Sequence, residues 1–382
     1  MKNKKVLHII TVSYVINHFF GNQFNYMKKL TGNKYFLGCS PSDEFFKLSE
    51  KLNYISFPVE VTRNISPFTD ISAIFSIFKF IKKNKIDVVV GHTPKGGMVA
   101  MIAAYFAGVE NRIYFRHGII YETRSGFQRY LLKNIDRLSG NLATKVVCVS
   151  NCVKSISVKD HLNNPEKNVV LGLGTCSGID TERNYNPALQ DENIIKNLKT
   201  TFQIRDTDFV VGYVGRLVKD KGINELIAAW KILEKSQTNI KLLLVGPIEN
   251  RNKISIESLE EIQKNPNIIN TGFVLNSAPY FSLFDVFVLP TFREGFPTVS
   301  LEASSMEIPV IITRATGCEE SIIENKTGLF IENSAKSIAE KIEIYLNDRN
   351  LKTLHGKNGR EFVRTNFEET KVWNEIHDKL EY

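Results

Sequence analysis

Cysteine is scarce and poorly spaced for pairing: the five in 382 residues, Cys39, Cys148, Cys152, Cys176 and Cys318, are odd in number, and Cys148 and Cys152 miss the Cys-x-x-Cys spacing. A disulfide framework is thereby excluded, and buried thiols in a reducing, cytoplasmic setting are expected. Long apolar runs are also missing. The longest, residues 97–109, falls short of the roughly 20 residues that span a bilayer, so any membrane contact is expected to be peripheral. Lysines ahead of an apolar start give residues 1–16 the look of a signal peptide, but His8 interrupts the run and no small-x-small cleavage site follows. A buried first strand over 6–10 is the better reading. There is no low-complexity tract, no repeat of solenoid period, and no zinc, helix-turn-helix or aromatic-basic RNA-binding signature. The net charge of +8, concentrated in runs such as 2–5 and 79–85, therefore points to anionic partners other than nucleic acid: nucleotides or acidic membrane.

What is present is an ordinary globular composition, 43% hydrophobic and 24% charged, in a chain long enough for two cores. Short apolar runs at 6–10, 88–90, 113–115, 145–149 and 169–171 alternate with helix-length segments, the pattern of a parallel sheet buried on both faces. Between them, 70–83 sets Ile71, Ile74, Phe75, Phe78 and Ile81 at helical spacing with lysines opposite, and 97–107 is an apolar helix closed by Gly108. A second series begins near Asp208, with strands expected at 209–214, 241–245, 286–289 and 310–313 and a helix at 223–234. A polar stretch, 177–192, reads as the hinge. The expected architecture is α/β, two Rossmann-like doubly wound parallel-sheet domains facing across a deep cleft. The N-terminal domain spans 1–180 and the C-terminal one 181–382, whose last helix is a candidate to pack back on the first. Ligands are expected beyond the carboxyl ends of the strands.

Two loops in the second half carry chemistry. After the strand at 209–214 comes Gly215-Arg216-Leu217-Val218-Lys219-Asp220-Lys221-Gly222, then a helix. Gly215 permits close backbone approach, while Arg216 offers a planar fork and Lys221 a point charge, a clamp suited to a diphosphate. A solvated basic turn is the plain alternative. After the strand at 286–289 comes Glu294-Gly295-Phe296-Pro297-Thr298-Val299, leading to Glu302. Pro297 suits a first helical turn, and free amides at Thr298 and Val299 would face an anion at the helix start. Glu302, just over a turn inside, can accept both hydroxyls of a ribose, and Glu294 is placed for sugar hydroxyls. The plain alternative is that both glutamates simply favour the positive end of a helix.

These residues bear a resemblance to a known family: Glu294 to Glu302 is similar to the E-x7-E motif of retaining family 4 glycosyltransferases of the GT-B fold, and Arg216 and Lys221 to their GR-x-x-x-x-KG loop. The likeness extends over nearly the whole chain. Gly21 and Asn22 resemble the family's donor-phosphate turn, His92-Thr93-Pro94-Lys95-Gly96-Gly97 its HT-x-KAG loop, and Arg116-His117-Gly118 its histidine-glycine motif, whose histidine lies near the transferred sugar. Phe19-Phe20-Gly21-Asn22 departs from the family's Gly-Gly pair, and Ser177-Gly178-Ile179-Asp180 from its Asn-Gly-x-Asp.

The resemblance implies a transferase moving a hexosyl or N-acetylhexosaminyl group from a UDP-sugar to a saccharide acceptor on a polyprenyl-diphosphate lipid, for surface polysaccharide, with retained configuration. Arg216, Lys221, Glu294 and His117 would be catalytic. Gly21, Asn22, Gly215, Gly246, Phe273, Val274, Gly295, Phe296, Pro297, Thr298, Val299 and Glu302 would complete the donor site, and His92, Lys95, Arg116 and Arg124 the acceptor site. No cofactor or metal is expected, since two cations can stand in for one and no Asp-x-Asp motif occurs where a metal-bridged transferase needs it. On their own, His92 and His117 are equally readable as ordering their loops. Residues 121–138 form a basic, aromatic stretch that fits either acidic lipid at the inner face of the membrane or an ordinary surface helix. A glycoside hydrolase using Glu294 and Glu302 as a carboxylate pair, and a nucleotide-sugar epimerase, are the competing readings.

Overall fold

The computed structural model describes residues 3–62, 66–249 and 252–382, so Lys2 of the basic run 2–5 lies outside the described residues. The chain forms two compact units, one of Met1–Gly178 together with Glu369–Tyr382, the other of Ile179–Glu368.

In the first unit β1 (Lys5–Ile9), β2 (Lys34–Cys39), β3 (Ile55–Pro58), β4 (Val88–His92), β5 (Asn111–Arg116), β6 (Lys145–Cys148) and β7 (Asn168–Val169) make one parallel sheet in the order β3-β2-β1-β4-β5-β6-β7. In the second, β8 (Phe209–Val214), β9 (Ile240–Val245), β10 (Ile268–Asn270), β11 (Val286–Leu289), β12 (Val310–Thr313) and β13 (Gly328–Ile331) are ordered β10-β9-β8-β11-β12-β13. Both are doubly wound: the strand order reverses between β1 and β4 and again between β8 and β11, and at such points a crevice opens beyond the strand ends. Every residue of β4, β11, β12 and β13 is buried, as a sheet covered on both faces requires.

β2, β3, β10 and β13 were not anticipated from the sequence. Two of them hold glycines that weaken a strand pattern yet serve close packing. A methyl group at Gly38 in β2 would lie 2.5 Å from the Ile9 side chain, and one at Gly328 in β13 2.2 Å from the Val310 carbonyl oxygen. The Pro67–Asn84 helix also differs from expectation. Its buried stripe is Asp70, Ala73, Ile77 and Ile81, whereas Ile71 and Phe75 face solvent. The apolar helix expected over 97–107 runs Pro94–Phe106, with the proline in its first turn.

Chain beyond Glu368 returns to the first unit, where the Glu369–Leu380 helix buries Val372, Trp373, Ile376 and Leu380 in that unit's core. Its Glu375 accepts a hydrogen bond from the Gly172 amide at 2.7 Å. From Ile179 onward the polar stretch belongs to the second unit: the Ile179 amide donates to the Phe367 carbonyl at 2.8 Å, and Arg360 donates to the carbonyls of Tyr185 and Ser305. No disulfide joins the five cysteines. Among the described residues no helix is long and apolar enough to cross a membrane.

Candidate active site

The second unit gathers five loops at the carboxyl end of its sheet. The loop after β8 begins at Gly215 (φ +147°), whose amide donates to Val245 at 2.9 Å, and Gly246 (φ +145°) lies so close that a methyl there would sit 1.9 Å from the Gly215 carbonyl oxygen. The same loop ends at Gly222 (φ +72°), where a methyl would meet the Pro290 carbonyl oxygen at 1.9 Å. Only glycine fits these contacts, so the loops after β8, β9 and β11 are pressed together backbone to backbone. Phe292 donates its amide to the Asp220 carbonyl at 3.0 Å, and Glu294 donates to Thr316 of the loop after β12 at 2.9 Å. The Gly246–Gly272 bridge draws in the loop after β10, which presents Phe273, 65% exposed, and Val274.

The outcome of this stacking is an ion pair: the Lys221 ammonium donates to the Glu294 carboxylate, with both side chains mostly shielded from solvent. Two residues 73 positions apart are thus brought together at the switch point of the sheet. Arg216 is placed differently. Its guanidinium turns to Glu249 of the loop after β9 at 2.9 Å and remains largely exposed.

The helix that follows runs Thr298–Ser305, so Pro297 is the residue before it and not part of its first turn. Phe296 packs on Phe367. The Thr298 amide is taken by the Phe296 carbonyl at 3.0 Å, which corrects the expectation of a free donor there. Glu302 is buried, 8% exposed, and desolvation pushes its carboxyl up to about 7, opposed by a hydrogen bond with Tyr185. The Tyr185 hydroxyl also lies 3.2 Å from the Ser277 hydroxyl. Glu294 and Glu302 therefore have separate partners, a cation for one and a phenol for the other.

In the first unit the end of β4 and the loop after β5 bring histidines together. His92 Nδ1 lies 3.1 Å from His117 Nε2, and His92 Nε2 lies 3.0 Å from Nδ1 of His8 in β1. Phe19 stacks on the His117 ring at 4.4 Å between centroids. Burial, with the charge of His18 adding to it, pushes His117 down to about 3, and burial also lowers His8 to about 3 and His92 well below the ordinary value. All three are neutral at pH 7.

One expectation in this unit needs correction. Arg116 is 0% exposed: its guanidinium pairs with Asp136 at 2.9 Å and donates to Ser157 and Asn163, so it holds the sheet interior together and is closed to an acceptor. Burial by itself would lower the pKa of a charge this deep, but the Asp136 carboxylate beside it outweighs that and holds it above even the usual arginine range, although Nη2 is left without a hydrogen-bond partner. Lys95 is paired with Asp70, and Arg124 is partly exposed at the end of a short turn. Gly21 (φ +45°) gives its amide to the Asn17 carbonyl at 2.9 Å, closing the Ile16–Phe20 turn, and Asn22 leads into the Gln23–Thr31 helix.

The second unit matches the family model of glycosyl transferases group 1 over residues 195–362, and the first matches glycosyl transferase 4-like over 12–150. A capsular polysaccharide biosynthesis glycosyltransferase of Staphylococcus aureus, CapM, is 33% identical over 377 residues, 98% of this chain and 96% of the relative. The chain is a family 4 glycosyltransferase of the GT-B fold. An Escherichia coli enzyme, UDP-Gal:alpha-D-GlcNAc-diphosphoundecaprenol alpha-1,3-galactosyltransferase, is 26% identical over 84% of this chain and 82% of its own. In fold, the transferase is similar to Anabaena HepE in complex with UDP, with a TM-score of 0.79 at 18% identity over 99% of each chain.

As a glycosyltransferase the chain no longer supports the hydrolase and epimerase readings. Sequence reasoning missed His8, Glu249 and Tyr185. The signal for His8 was its interruption of an apolar strand; Glu249 and Tyr185 left no local trace, because their partners are 33 and 117 positions away.

Proposed function

We propose that this enzyme transfers a hexosyl or N-acetylhexosaminyl group from a UDP-sugar to a saccharide on a polyprenyl-diphosphate lipid, with retention of configuration and no metal. The observation that carries the reading is the Lys221–Glu294 pair at the switch point between β8 and β11. In the free protein the two hold each other. A bound donor offers each a better partner, diphosphate oxygens for Lys221 and sugar hydroxyls for Glu294. Glu302 accepts the ribose hydroxyls, and Phe273 and Val274 lie on the loop that meets the base. The bond from the anomeric carbon to the diphosphate oxygen breaks with its electrons going to that oxygen, and Lys221 and Arg216 stabilise the departing anion. The acceptor hydroxyl then adds to the same face of the oxocarbenium-like carbon, and its proton passes to the leaving phosphate. The lipid-linked acceptor and uridine donor are supported by the Escherichia coli relative, a UDP-Gal:alpha-D-GlcNAc-diphosphoundecaprenol galactosyltransferase, and by the UDP in HepE.

The test is a thermal-shift panel of nucleoside-diphosphate sugars, in which a donor present at about 100 times its Kd raises stability by about 2.7 kcal/mol. The UDP-sugar is expected to stand out, and a panel in which no nucleotide sugar shifts the melting temperature overturns the assignment. With the donor identified, turnover in excess chelator is expected to equal that in magnesium. A strict requirement for a divalent cation would count against the cationic clamp.

The first unit supports a peripheral membrane contact. The Pro94–Phe106 helix packs between Pro67–Asn84 and Gly126–Leu142, and this row of neighbours exposes Phe68 (90%), Ile71, Phe75, Phe106, Phe127 (77%) and Tyr130. Lysines and arginines are interleaved with them: Lys79 lies 4.3 Å from the Phe75 ring, and Arg129 and Lys133 stand on the same helix as Phe127 and Tyr130. Aromatic and basic groups together suit an anionic interface, which lies where a lipid-linked acceptor is presented. Flotation with acidic liposomes at low salt is expected, and the double variant Phe127→Glu/Tyr130→Glu is expected to reduce the bound fraction several-fold. Equal flotation of variant and parent would move the contact elsewhere.

A further inference from the structure

His8, His92 and His117 make a linear chain of three imidazoles joined by two hydrogen bonds, at 3.0 and 3.1 Å, one from each of three adjacent strands or the loop that follows. Three neutral rings carry three N–H protons. Each of the two contacts uses one, so the third sits at one end of the chain, on His8 Nε2 or on His117 Nδ1. The His8 end is buried, and its Nε2 has no hydrogen-bond partner. The His8 ring lies among aromatic rings set nearly perpendicular to it: Phe20 at 85°, Phe24 at 70° and Tyr382 at 71°, with centroids 5.1–5.8 Å away. Aromatic faces are electron-rich and attract the positive edge of an N–H, whereas a bare imine lone pair there faces repulsion with no compensation. The third proton therefore belongs on His8.

We infer that His8 and His92 are positioning residues that fix the tautomer of His117, leaving its Nδ1 as a bare hydrogen-bond acceptor. His117 then donates from Nε2 to His92 Nδ1, and His92 from Nε2 to His8 Nδ1. Such an acceptor reads a hydroxyl, which brings a proton, and not a diphosphate oxygen, which at neutral pH has none to give. This deepens the proposed transfer and rests on it for the identity of the ligand: His117 is matched to a hydroxyl of a sugar and not to the nucleotide's phosphates.

The tautomers are measurable in the free protein by long-range 1H–15N correlation of selectively 15N-histidine-labelled enzyme, assigned with a His117→Gln variant. Protonated Nε2 and unprotonated Nδ1 are expected at His8, His92 and His117, and a protonated Nδ1 at His117 overturns the inference. Function is read with two variants of His8. In His8→Asn the amide oxygen can take the place of Nδ1 as acceptor for His92, so the His117 tautomer and turnover are expected to be kept. His8→Leu removes the anchor: His117 becomes a mixture, and kcat/KM for the donor sugar falls about tenfold, the scale of one hydrogen bond, while affinity for UDP alone stays unchanged. Equal losses in the two variants, or a loss of UDP affinity in parallel, would make the chain merely structural. Absence of turnover with any nucleotide sugar in the parent would defeat the transfer reading and leave the tautomer measurement standing by itself.

Discussion

Replacing Lys221 by alanine is expected to lower kcat by about two to three orders of magnitude, the cost of removing one preorganised group from a developing anion. Lys221 has this weight because of where the fold holds it. Its loop can lie against the loop after β11 only with glycine at 222, and the Phe292 amide clips the two together at Asp220. The ammonium is therefore positioned before a ligand arrives, and no reorganisation is charged to the reaction. Removal has a second consequence, since Glu294 would keep a shielded carboxylate with no cation beside it. The double variant Lys221→Ala/Glu294→Gln separates the two effects: lost thermal stability should return while kcat stays low. Arg216→Ala is expected to cost less, because its guanidinium is largely exposed and tied to Glu249 in the free protein. Steady-state release of nucleoside diphosphate in the presence of acceptor is the readout. If Lys221→Ala raised KM and left kcat within a few-fold of the parent, the lysine would bind ground and transition states alike and the clamp would not be catalytic.

The sheets were legible in the sequence because fully buried parallel strands are short, branched and apolar: 209–214, 286–289 and 310–313 coincide with β8, β11 and β12. β2 and β13, where Gly38 and Gly328 interrupt short runs, and β3, which is only partly buried, were not legible, although a methyl at either glycine would clash. Glycines also marked the site well. Gly222 and Gly246 stand where two main chains touch, a requirement that a side chain of any size would break. Charges were less legible, since a sequence gives a cation's position on its loop and not its partner. Lys221 meets Glu294, but Arg216 meets Glu249, and Arg116, read as an acceptor contact, belongs with Asp136 in the interior. The same limit applied to the Pro67–Asn84 helix, in which two apolar stripes compete and only the sheet decides which is buried.

Glu302→Gln should make the enzyme more stable and less able to bind its donor, and the balance should change with pH. In the folded state burial pushes the Glu302 carboxyl from 4.5 up to about 7. Between those values the native chain holds a proton that the unfolded chain has released, so stability is fully present below pH 4.5 and is lost as pH rises through 7. Above pH 8 the loss reaches on the order of 3 kcal/mol. Glutamine keeps the shape and does not titrate. The variant should therefore match the parent near pH 4.5 and exceed it in denaturant midpoint at pH 8, where the parent must hold an ionised carboxylate in a site 8% exposed. Donor binding is expected to follow the opposite sign. A ribose diol donates two hydrogen bonds and needs the carboxylate, so the Kd for UDP should tighten by about tenfold in all as pH rises from 6 to 8, and glutamine should abolish that dependence. The position would then be one where the fold carries a destabilising charge because the ligand requires it. Unfolding curves for both proteins at pH 5 and pH 8, with UDP titrations at the same values, decide it. A stability difference that does not change with pH would mean that Glu302 titrates alike in the folded and unfolded chain, and a pH-independent UDP affinity would remove the ribose from its side chain.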